Sequence, residues 1–309
     1  MKFCDCWRNI ATSYAIQAER PPFTIGYGFA YSRQLSRGSG KRPASAEPCD
    51  KRYMPAEDVF EGEFFASLYD YVNPWSVSDD FYVDRAVEGG GPVLDLGCGT
   101  GLLACGIAAK GLGVTGVDPA AAMLRVARTR SGGDRVNWIE SDGQSLRLSQ
   151  RFNFIYMAGH AFQALLTDDD AAKLLRLAAN HLNPDGRFVF ETRNPAARAW
   201  LVWTPGHSRR TLQSPQHGRV ALFYDAQAEL TTGIVTIREH YHLLDKGVRR
   251  VGRNHIRFVN QEHLARLLAK AGLAAVAWHG DWAGGPISST SNEIIVVTRR
   301  ATLPAPSSN

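Results

Sequence analysis

One short stretch restricts the fold of this chain more than any other. The run Val93-Leu94-Asp95-Leu96 has the length and composition of a buried strand, and Gly97-Cys98-Gly99-Thr100-Gly101 follows directly. Residues 102–110 then repeat apolar side chains at helical spacing. Glycines at a strand-to-helix turn let the backbone bend sharply and approach a ligand without a Cβ in the way. The first N–H groups of the helix add a positive dipole end. The pattern therefore predicts an α/β sheet that binds a ligand at this turn.

The segments around this turn continue the alternation of strands and helices. Predicted strands cover residues 92–96, 114–117, 136–140, 152–157 and 187–191, and two more cover 273–278 and 293–298. Predicted helices cover residues 58–73, 79–86, 102–110, 120–129, 168–182 and 262–271. Apolar strands separated by helices indicate a parallel sheet covered on both faces. With right-handed crossovers, the predicted fold is α/β, a Rossmann-like, doubly wound, mostly parallel seven-stranded sheet.

After the fifth predicted strand, between residues 194 and 260, strands no longer alternate with helices. Three longer strands joined by short turns predict an antiparallel β insertion, at residues 220–229, 233–244 and 251–259. We interpret this insertion as a lid over the substrate. In its second strand, polar residues alternate with apolar ones, which gives two distinct faces. The polar face carries Thr236, Arg238, His240 and His242. It is expected to face solvent, with substrate contact as the alternative.

Charge and composition divide the chain into three parts. Residues 1–52 contain nine Lys/Arg and four Asp/Glu, whereas residues 53–309 contain 26 of each sign. The net charge of +5 therefore belongs to a basic N-terminal extension, predicted to be weakly ordered, and Met54 is an alternative natural start. We expect one folded domain at residues 53–300, which includes the insertion at 194–260, and a disordered tail at 301–309. A nucleic-acid enzyme usually carries its excess charge on the folded domain, so a small-molecule partner is favoured.

The five cysteines indicate neither a disulfide framework nor a metal site. Cys4, Cys6 and Cys49 lie in the extension, and no CxxC pattern occurs. His240, His242 and His255 lack an accompanying carboxylate pattern, so no metal is predicted. The sequence has no apolar run of membrane-spanning length and no apolar core of a secretory signal. These features favour a cytoplasmic protein. They say nothing about the oligomeric state.

Three acidic residues follow three successive predicted strands. Asp95 precedes the first glycine of the turn by two positions, Asp118 ends the second strand, and Asp142 follows the third. The carboxyl ends of parallel strands meet at one edge, so the three carboxylates should converge on one crevice. The Asp118 carboxylate is placed to accept hydrogen bonds from ribose hydroxyls, and the Asp142 carboxylate can accept one from an adenine amino group. The alternatives are a helix cap at Asp118-Pro119 and a turn at Asp142-Gly143.

At these residues the chain resembles the class I S-adenosylmethionine-dependent methyltransferases. Residues 93–104 resemble their glycine motif, and residues 114–118 resemble their second, acidic motif. The resemblance implies S-adenosylmethionine as the cofactor, with Asp95 at its methionyl end, Asp118 at its ribose and Asp142 at its adenine. The cofactor-binding residues that it implies are Asp95, Gly97, Cys98, Gly99, Gly101, Asp118, Pro119, Asp142, Gly143 and Ala158.

Three further segments resemble a group of small bacterial methyltransferases whose substrates are mostly unassigned: residues 69–75, 158–163 and 190–195. His160 follows the fourth predicted strand, where this fold presents substrate-side residues, and is the first candidate for a general base. The alternative is a histidine bonded to a loop backbone. Glu191 and Arg193 are candidates to bind an amine or a carboxylate, or else to pair with one another. Tyr69 and Trp75 are expected either to close over the cofactor or to pack helices.

The sequence after the fourth predicted strand argues against two classes of methyl acceptor. Met157-Ala158-Gly159-His160 differs from the Asn/Asp-Pro-Pro-aromatic motif that resembling enzymes use on nucleic-acid bases or glutamine. No cysteine follows that strand to act as the nucleophile of a pyrimidine C5 methyltransferase. We therefore expect methylation of a nitrogen or oxygen of a small molecule. Two alternatives are an NAD-dependent oxidoreductase, which Asp95 and Asp142 disfavour, and a protein that binds S-adenosylmethionine without turnover.

Overall fold

The computed structural model describes residues 57–58, 62–142 and 146–301. The predictions for the basic extension, for Gly143 and for the last eight residues lie outside these ranges. The same holds for Val59 and Phe60, which the sequence placed in the first helix.

Helices and strands alternate as predicted, with most bounds shifted by a few residues. The α-helices of the described residues are α1 (Glu63–Val72), α2 (Val77–Gly89), α3 (Leu102–Ala108), α4 (Ala121–Thr129), α5 (Asp168–His181), α6 (Pro205–Ser208) and α7 (Gln261–Lys270). The first six strands are β1 (Glu57–Asp58), β2 (Val93–Leu96), β3 (Val114–Asp118), β4 (Val136–Glu140), β5 (Phe152–Met157) and β6 (Leu182–Arg193). The remaining strands are β7 (Arg210–Ser214), β8 (Gly218–Glu229), β9 (Ile234–Leu243), β10 (Val248–Arg257), β11 (Leu273–His279) and β12 (Glu293–Arg300).

The larger sheet confirms the predicted fold class. Its seven strands lie in the order β11-β12-β6-β5-β2-β3-β4. Strands β6, β5, β2, β3 and β4 run parallel, and β12 is antiparallel to both β6 and β11. Strand β2 lies between β3 and β5, so the chain builds the sheet outward from β2 in both directions. In doubly wound sheets this reversal opens a crevice at the carboxyl ends of the strands.

Alternation along the central strands fills a hydrophobic core on each face of this sheet. In β5, Ile155 and Met157 join the core under α5 and α7, whereas Phe154 and Tyr156 join the core under α2 and α3. Successive side chains of a strand point to opposite faces, so a strand that is covered on both sides is buried along its whole length. This explains why β2 and β3 are buried at every position.

The insertion contributes four strands to a second sheet, where the sequence predicted three, and β1 adds a fifth strand from before α1. The order is β1-β10-β9-β8-β7, antiparallel except for the parallel pairing of β1 with β10. We call these five strands the insertion sheet. The two added strands show no clear alternation of apolar and polar residues, because β1 has two residues and β7 has five, of which one is buried.

Helix α1 connects the insertion sheet to the larger sheet. On one side Phe65 and Leu68 pack against Val220 and Tyr241 of the insertion sheet, and on the other side Ala66 packs against the α4 region. The aromatic rings of Phe65 and Tyr241 meet edge to face at 5.4 Å. This packing holds one face of the insertion sheet over the carboxyl edge of the larger sheet.

Candidate active site

A cavity of about 640 Å³ opens at the carboxyl edge of the larger sheet, beneath the insertion sheet. This volume lies in the range of small-molecule sites, which is about 300–1,000 Å³. Its wall combines the glycine turn after β2, the ends of β3, β5 and β6, helix α1 and one face of the insertion sheet. The crevice predicted from the strand ends and the lid predicted from the insertion therefore enclose the same space.

The glycine turn presents backbone to this cavity at two of its three glycines. Gly97 and Gly99 line the cavity and have φ values of 80° and 52°, in the left-handed region that favours glycine. A Cβ at Gly97 would lie 3.0 Å from the Cβ of Ala161. Gly101 has a different role, because a Cβ there would run into the indole of Trp138. Gly101 thus supports the turn from behind.

Cys98 and Asp95 also lie behind the cavity wall. Both side chains are buried. The Asp95 carboxylate accepts a hydrogen bond of 2.7 Å from the Tyr156 hydroxyl, its neighbour across β2 and β5. Burial is the main cause that raises the pKa of Asp95 to about 8, while the Tyr156 hydrogen bond acts in the opposite direction. Direct contact of Asp95, Cys98 or Gly101 with a cofactor stays a prediction.

Asp118 lines the cavity and braces the glycine turn with the same carboxylate. One oxygen accepts from the Gly99 amide at 2.8 Å and the other from the Ala120 amide at 2.8 Å. The N-cap residue of α4 is Ala120, and no side chain caps this helix, so Asp118 holds the turn before the helix and the helix-cap alternative is wrong. Each carboxylate oxygen still has a lone pair for a ligand hydroxyl. Burial raises the pKa of Asp118, and the two amide donors lower it.

The other predicted cofactor residues lie on the cavity wall where the structure describes them. Pro119, Asp142 and Ala158 all line it. Gly143 lies outside the described residues. The third strand end therefore contributes a carboxylate to the same cavity as Asp118, as the convergence of parallel strands requires.

Tyr69 of α1 covers the glycine turns at the ends of β2 and β5. Its ring is 4.0 Å from the position of a Cβ at Gly99, and its hydroxyl oxygen is 3.8 Å from that of a Cβ at Gly159. Burial and the nearby carboxylates raise the pKa of Tyr69 to about 12, so its hydroxyl stays protonated. Trp75 does not share this position. It packs against Gly106 and donates to Asp80 at 2.8 Å, which is a helix-packing role.

Asp70 fastens α1 in place over the turn. Its Oδ1 accepts from the Thr100 hydroxyl at 2.6 Å, and its Oδ2 accepts from Arg130. The Arg130 Nε also donates to the Thr100 carbonyl at 2.9 Å. Helix α1 is thus bonded to the glycine turn itself.

His160 stands in the wall with an unusual backbone. Its φ is 61°, and the preceding Gly159 has a φ of 65°. A left-handed conformation is uncommon for a non-glycine residue, and it persists where the surrounding contacts hold the residue in place. The His160 amide donates to Glu191 Oε1 at 2.7 Å, and its imidazole Nε2 lies 2.9 Å from Glu293 Oε2. The imidazole is therefore paired with a carboxylate and not with a loop backbone.

Glu191 lies behind the wall and holds His160 from there. The residue is 1% exposed and does not line the cavity. Its second oxygen accepts from the Tyr82 hydroxyl, which also lies 3.2 Å from the Met157 carbonyl. Burial raises the pKa of Glu191, and the contacts with His160 and Tyr82 lower it. Glu191 therefore positions the His160 backbone and does not reach the cavity.

Arg193 lines the cavity and makes no ion pair with Glu191 or with any other described residue. Its Nη1 donates to Gln163 Oε1 at 2.8 Å, and its guanidinium lies 5.2 Å from the centre of the Trp203 ring. Burial lowers the pKa of Arg193 from its usual value, and the nearby Glu293 and Glu191 raise it. The pairing alternative for Glu191 and Arg193 is wrong.

The insertion sheet adds residues that the sequence did not single out. Its cavity-facing side, here the inner face, carries Tyr224, Ile237, Glu239, Tyr241, Asn254 and Ile256. Glu239 accepts from the Tyr241 hydroxyl at 2.7 Å, and burial raises the pKa of its carboxyl. A visible signal existed, since Glu239 is a charged residue in the apolar register of β9. Charged residues are rarely buried unless they are paired, so a glutamate in this register is a candidate site residue.

The polar face of β9 lies on the outer side, as expected. Asp225 pairs there with Arg238 at 2.9 Å and with His240 at 2.6 Å, and Thr236 lies 3.0 Å from His255. Within the described ranges, no group of three His, Cys, Asp or Glu residues has a geometry for a metal ion. None of the described helices is long and apolar enough to span a membrane.

The wall fits S-adenosylmethionine better than a dinucleotide. Its acidic and basic residues are Asp118, Asp142, His160, Arg193, Glu239 and Glu293. Carboxylates near the glycine turn would repel a pyrophosphate, whereas S-adenosylmethionine has a net positive charge and ribose hydroxyls. The glycine cradle at Gly97 and Gly99, with Asp118 beside it, matches this ligand.

Comparisons with known proteins agree with this geometry. The family described as "Methyltransferase domain" matches residues 93–186. The ubiquinone biosynthesis O-methyltransferase of Pectobacterium carotovorum subsp. carotovorum is 32% identical over 146 residues, which are 46% of this chain and 58% of that protein. The chain thus spans less than two thirds of that relative. The cypemycin N-terminal methyltransferase of Streptomyces sp is 29% identical over 216 residues, 68% of this chain and 84% of that protein.

A solved structure shows the same fold. The CcbJ methyltransferase from Streptomyces caelestis has a TM-score of 0.66 and 22% identity, over 80% of this chain and 99% of that chain. The strand order, the glycine turn and the carboxylates at the strand ends agree with this likeness. Residues 93–186 match a methyltransferase domain, and the chain shares its fold with a solved methyltransferase.

Proposed function

We propose that this protein methylates a nitrogen atom of a small basic molecule, with S-adenosylmethionine as the methyl donor. The observation that carries the choice of nitrogen is the charge of the cavity wall. Four carboxylic acids and one guanidinium line it, namely Asp118, Asp142, Glu239, Glu293 and Arg193. A cavity with this excess of acidic groups attracts cations, and an amine is the common cationic methyl acceptor.

The residues that would hold the cofactor lie around the glycine turn. Gly97 and Gly99 offer backbone without side chains, Asp118 offers carboxylate oxygens, and Tyr69 covers both turns. When bound, S-adenosylmethionine supplies a sulfonium methyl group that a nucleophile takes by in-line displacement. Positioning and exclusion of water account for most of the rate of such a reaction. Helix α1 and the insertion sheet are the elements that exclude water here.

His160 is the group that removes the proton from the amine. Because Glu293 accepts a hydrogen bond, it favours the tautomer of His160 with a proton on Nε2. Nδ1 then carries the lone pair, and no described residue hydrogen-bonds to it. The assignment follows from the hydrogen-bond pattern. A base held at the wall in this way accepts the proton that a secondary or primary amine must lose.

The relatives support a methyl transfer to small acceptors or chain termini but differ in the atom methylated. One is an O-methyltransferase of ubiquinone biosynthesis and another an N-terminal methyltransferase of cypemycin. The choice of nitrogen for this chain therefore depends on the acidic wall and on the orientation of His160.

The decisive experiment is calorimetry on the full chain followed by turnover. Micromolar binding of S-adenosylhomocysteine and none of NADH is the expected result, and preference for NADH would favour an oxidoreductase. Labelled methyl transfer is then measured with small amines and with matched alcohols at equal concentration. Faster labelling of the amines supports the proposal, and faster labelling of the alcohols contradicts it. Binding without transfer to any acceptor would indicate a protein that holds the cofactor without turnover.

A further inference from the structure

Two opposite charges line the cavity and form no ion pair with one another. Arg193 is at the end of β6 in the larger sheet, and Glu239 is on the inner face of the insertion sheet. No ion pair joins them, although both line the same cavity. Opposite charges held in a partly buried site lose solvation, and they recover it only when each gains a partner. A ligand with one cationic and one anionic group would give each of them a partner.

Arg193 is fixed in an orientation that leaves donors open. Gln163 is fully buried, and its amide donates to the Arg257 carbonyl at 3.1 Å, which sets the direction of its own oxygen. That oxygen accepts from Arg193 Nη1, and Trp203 supports the guanidinium plane. The remaining nitrogens of Arg193 have no acceptor among the described residues. A guanidinium held flat with free donors matches the two oxygens of a carboxylate or a phosphate.

Glu239 has the complementary arrangement. One of its oxygens accepts from the Tyr241 hydroxyl, and the other has no donor within the described part of the chain. In the sheet register it lies between Tyr224 and Gly252. The glycine leaves space on one side, and Tyr224 supplies an aromatic wall on the other. A carboxylate beside aromatic rings is a site for an ammonium group.

We propose that the methyl acceptor is a zwitterion, an amine that also carries an anionic group. Arg193 binds the carboxylate or phosphate, and Glu239 attracts the ammonium before His160 removes its proton. This inference rests on the proposed amine methylation and adds the second charge to it. The anionic group has two possible chemical sources, a carboxylic acid or a phosphate ester, and both fit a free guanidinium edge.

The test compares each anionic acceptor with a matched amine that lacks the anionic group. The full chain is incubated with labelled S-adenosylmethionine and one of four acceptor sets: phenylalanine, tyrosine, tryptophan and histidine; their decarboxylated amines; phosphoethanolamine; or ethanolamine. Methylation of either anionic set at least about tenfold faster than its matched amines supports the inference, and the faster anionic set identifies the source. Equal or faster labelling of both sets of matched amines overturns it while leaving amine methylation intact. Labelling of no set overturns both.

Variants assign the preference to Arg193. Arg193→Met is expected to lower kcat/KM for the preferred anionic acceptor about 10- to 100-fold, which removes the selectivity, and Arg193→Lys is expected to restore part of it. Arg176→Met on the exposed surface of α5 is the matched control. Binding of S-adenosylhomocysteine is measured on each variant by calorimetry. Unchanged affinity in Arg193→Met supports an acceptor role, whereas a comparable loss would assign Arg193 to the methionyl end of the cofactor and overturn the inference.

Discussion

The imidazole Nε2 of His160 lies 2.9 Å from Oε2 of Glu293, and the two residues are 133 positions apart in the chain. Strand β12 brings Glu293 to the end of β6, beside the turn that carries His160. This contact fixes the orientation of the His160 imidazole, which is the candidate base.

Replacing His160 by asparagine should lower kcat by about 10²- to 10⁴-fold, the usual contribution of a general base. Asparagine tolerates the left-handed backbone of this position, so the substitution removes the base without adding strain. Glu293→Gln, which keeps a hydrogen-bonding group, should lower kcat less. Steady-state kinetics with the best amine acceptor measure both effects. An unchanged kcat in His160→Asn would show that the acceptor loses its proton to solvent.

Asp118→Ala should weaken the binding of S-adenosylhomocysteine by about 1–3 kcal/mol, because ligand hydroxyls lose a charged acceptor. The Gly99 amide loses its partner in the same variant. Asp118→Asn should have a smaller effect, since one oxygen remains to accept. Calorimetry measures the affinities, and the exposed Asp185→Ala is the control. Wild-type affinity in Asp118→Ala would exclude Asp118 from the cofactor site.

Glu191→Ala should destabilise the fold by about 2–4 kcal/mol. It leaves the partly buried His160 amide and the buried Tyr82 hydroxyl without their acceptor, and each orphaned group costs about 1–3 kcal/mol. Glu191→Gln should cost less, because its carbonyl oxygen can still accept from His160. Urea denaturation of the three proteins measures the free energy of unfolding. Equal stability of the alanine and glutamine variants would contradict the positioning role.

Stability should fall as the pH rises, in part because of Asp95. Its pKa is about 8 in the folded protein and 3.8 for the free group, so between these values the folded state keeps a proton that the unfolded state has lost. The free energy of unfolding therefore decreases with pH across this window, by at most about 1.4 kcal/mol per unit. Urea denaturation is measured at about pH 5, 6, 7 and 8, which lie within this window. The free energy of unfolding should decrease more steeply with pH in the wild type than in Asp95→Asn. Parallel profiles would mean that Asp95 is ionised in the folded protein.

Asp70→Ala should weaken the binding of S-adenosylhomocysteine by up to about tenfold without direct contact with it. The substitution releases α1 from Thr100 and Arg130, so Tyr69 covers the glycine turns less often. Calorimetry measures the affinity, and Asp84→Ala on the exposed side of α2 is the control. Asp70→Asn has nearly the same shape without the charge, and its side-chain oxygen can still accept from the Thr100 hydroxyl. It therefore tests whether the charge of Asp70 is needed. A wild-type affinity in Asp70→Ala would mean that packing alone holds α1.

The order of elements was predictable because it depends on local patterns. Apolar runs, helical spacing and the glycine turn identified the seven-stranded sheet and the place of its crevice. The positions of Asp118 and Asp142 followed as well, because residues at the carboxyl ends of parallel strands must meet at one edge. Short strands such as β7 were missed, since five residues with one buried position carry little periodicity.

The sequence by itself determined the sheet, the glycine cradle and the class of cofactor, because each is encoded within a few neighbouring residues. Only the tertiary structure decided the roles of the charged groups. It placed Asp95 and Glu191 behind the wall, on Tyr156 and Tyr82, and it placed Glu239 and Glu293 on the cavity. The physical reason is that the burial and the partner of a carboxylate depend on strands far away in the chain. Local spacing contains no information about those strands.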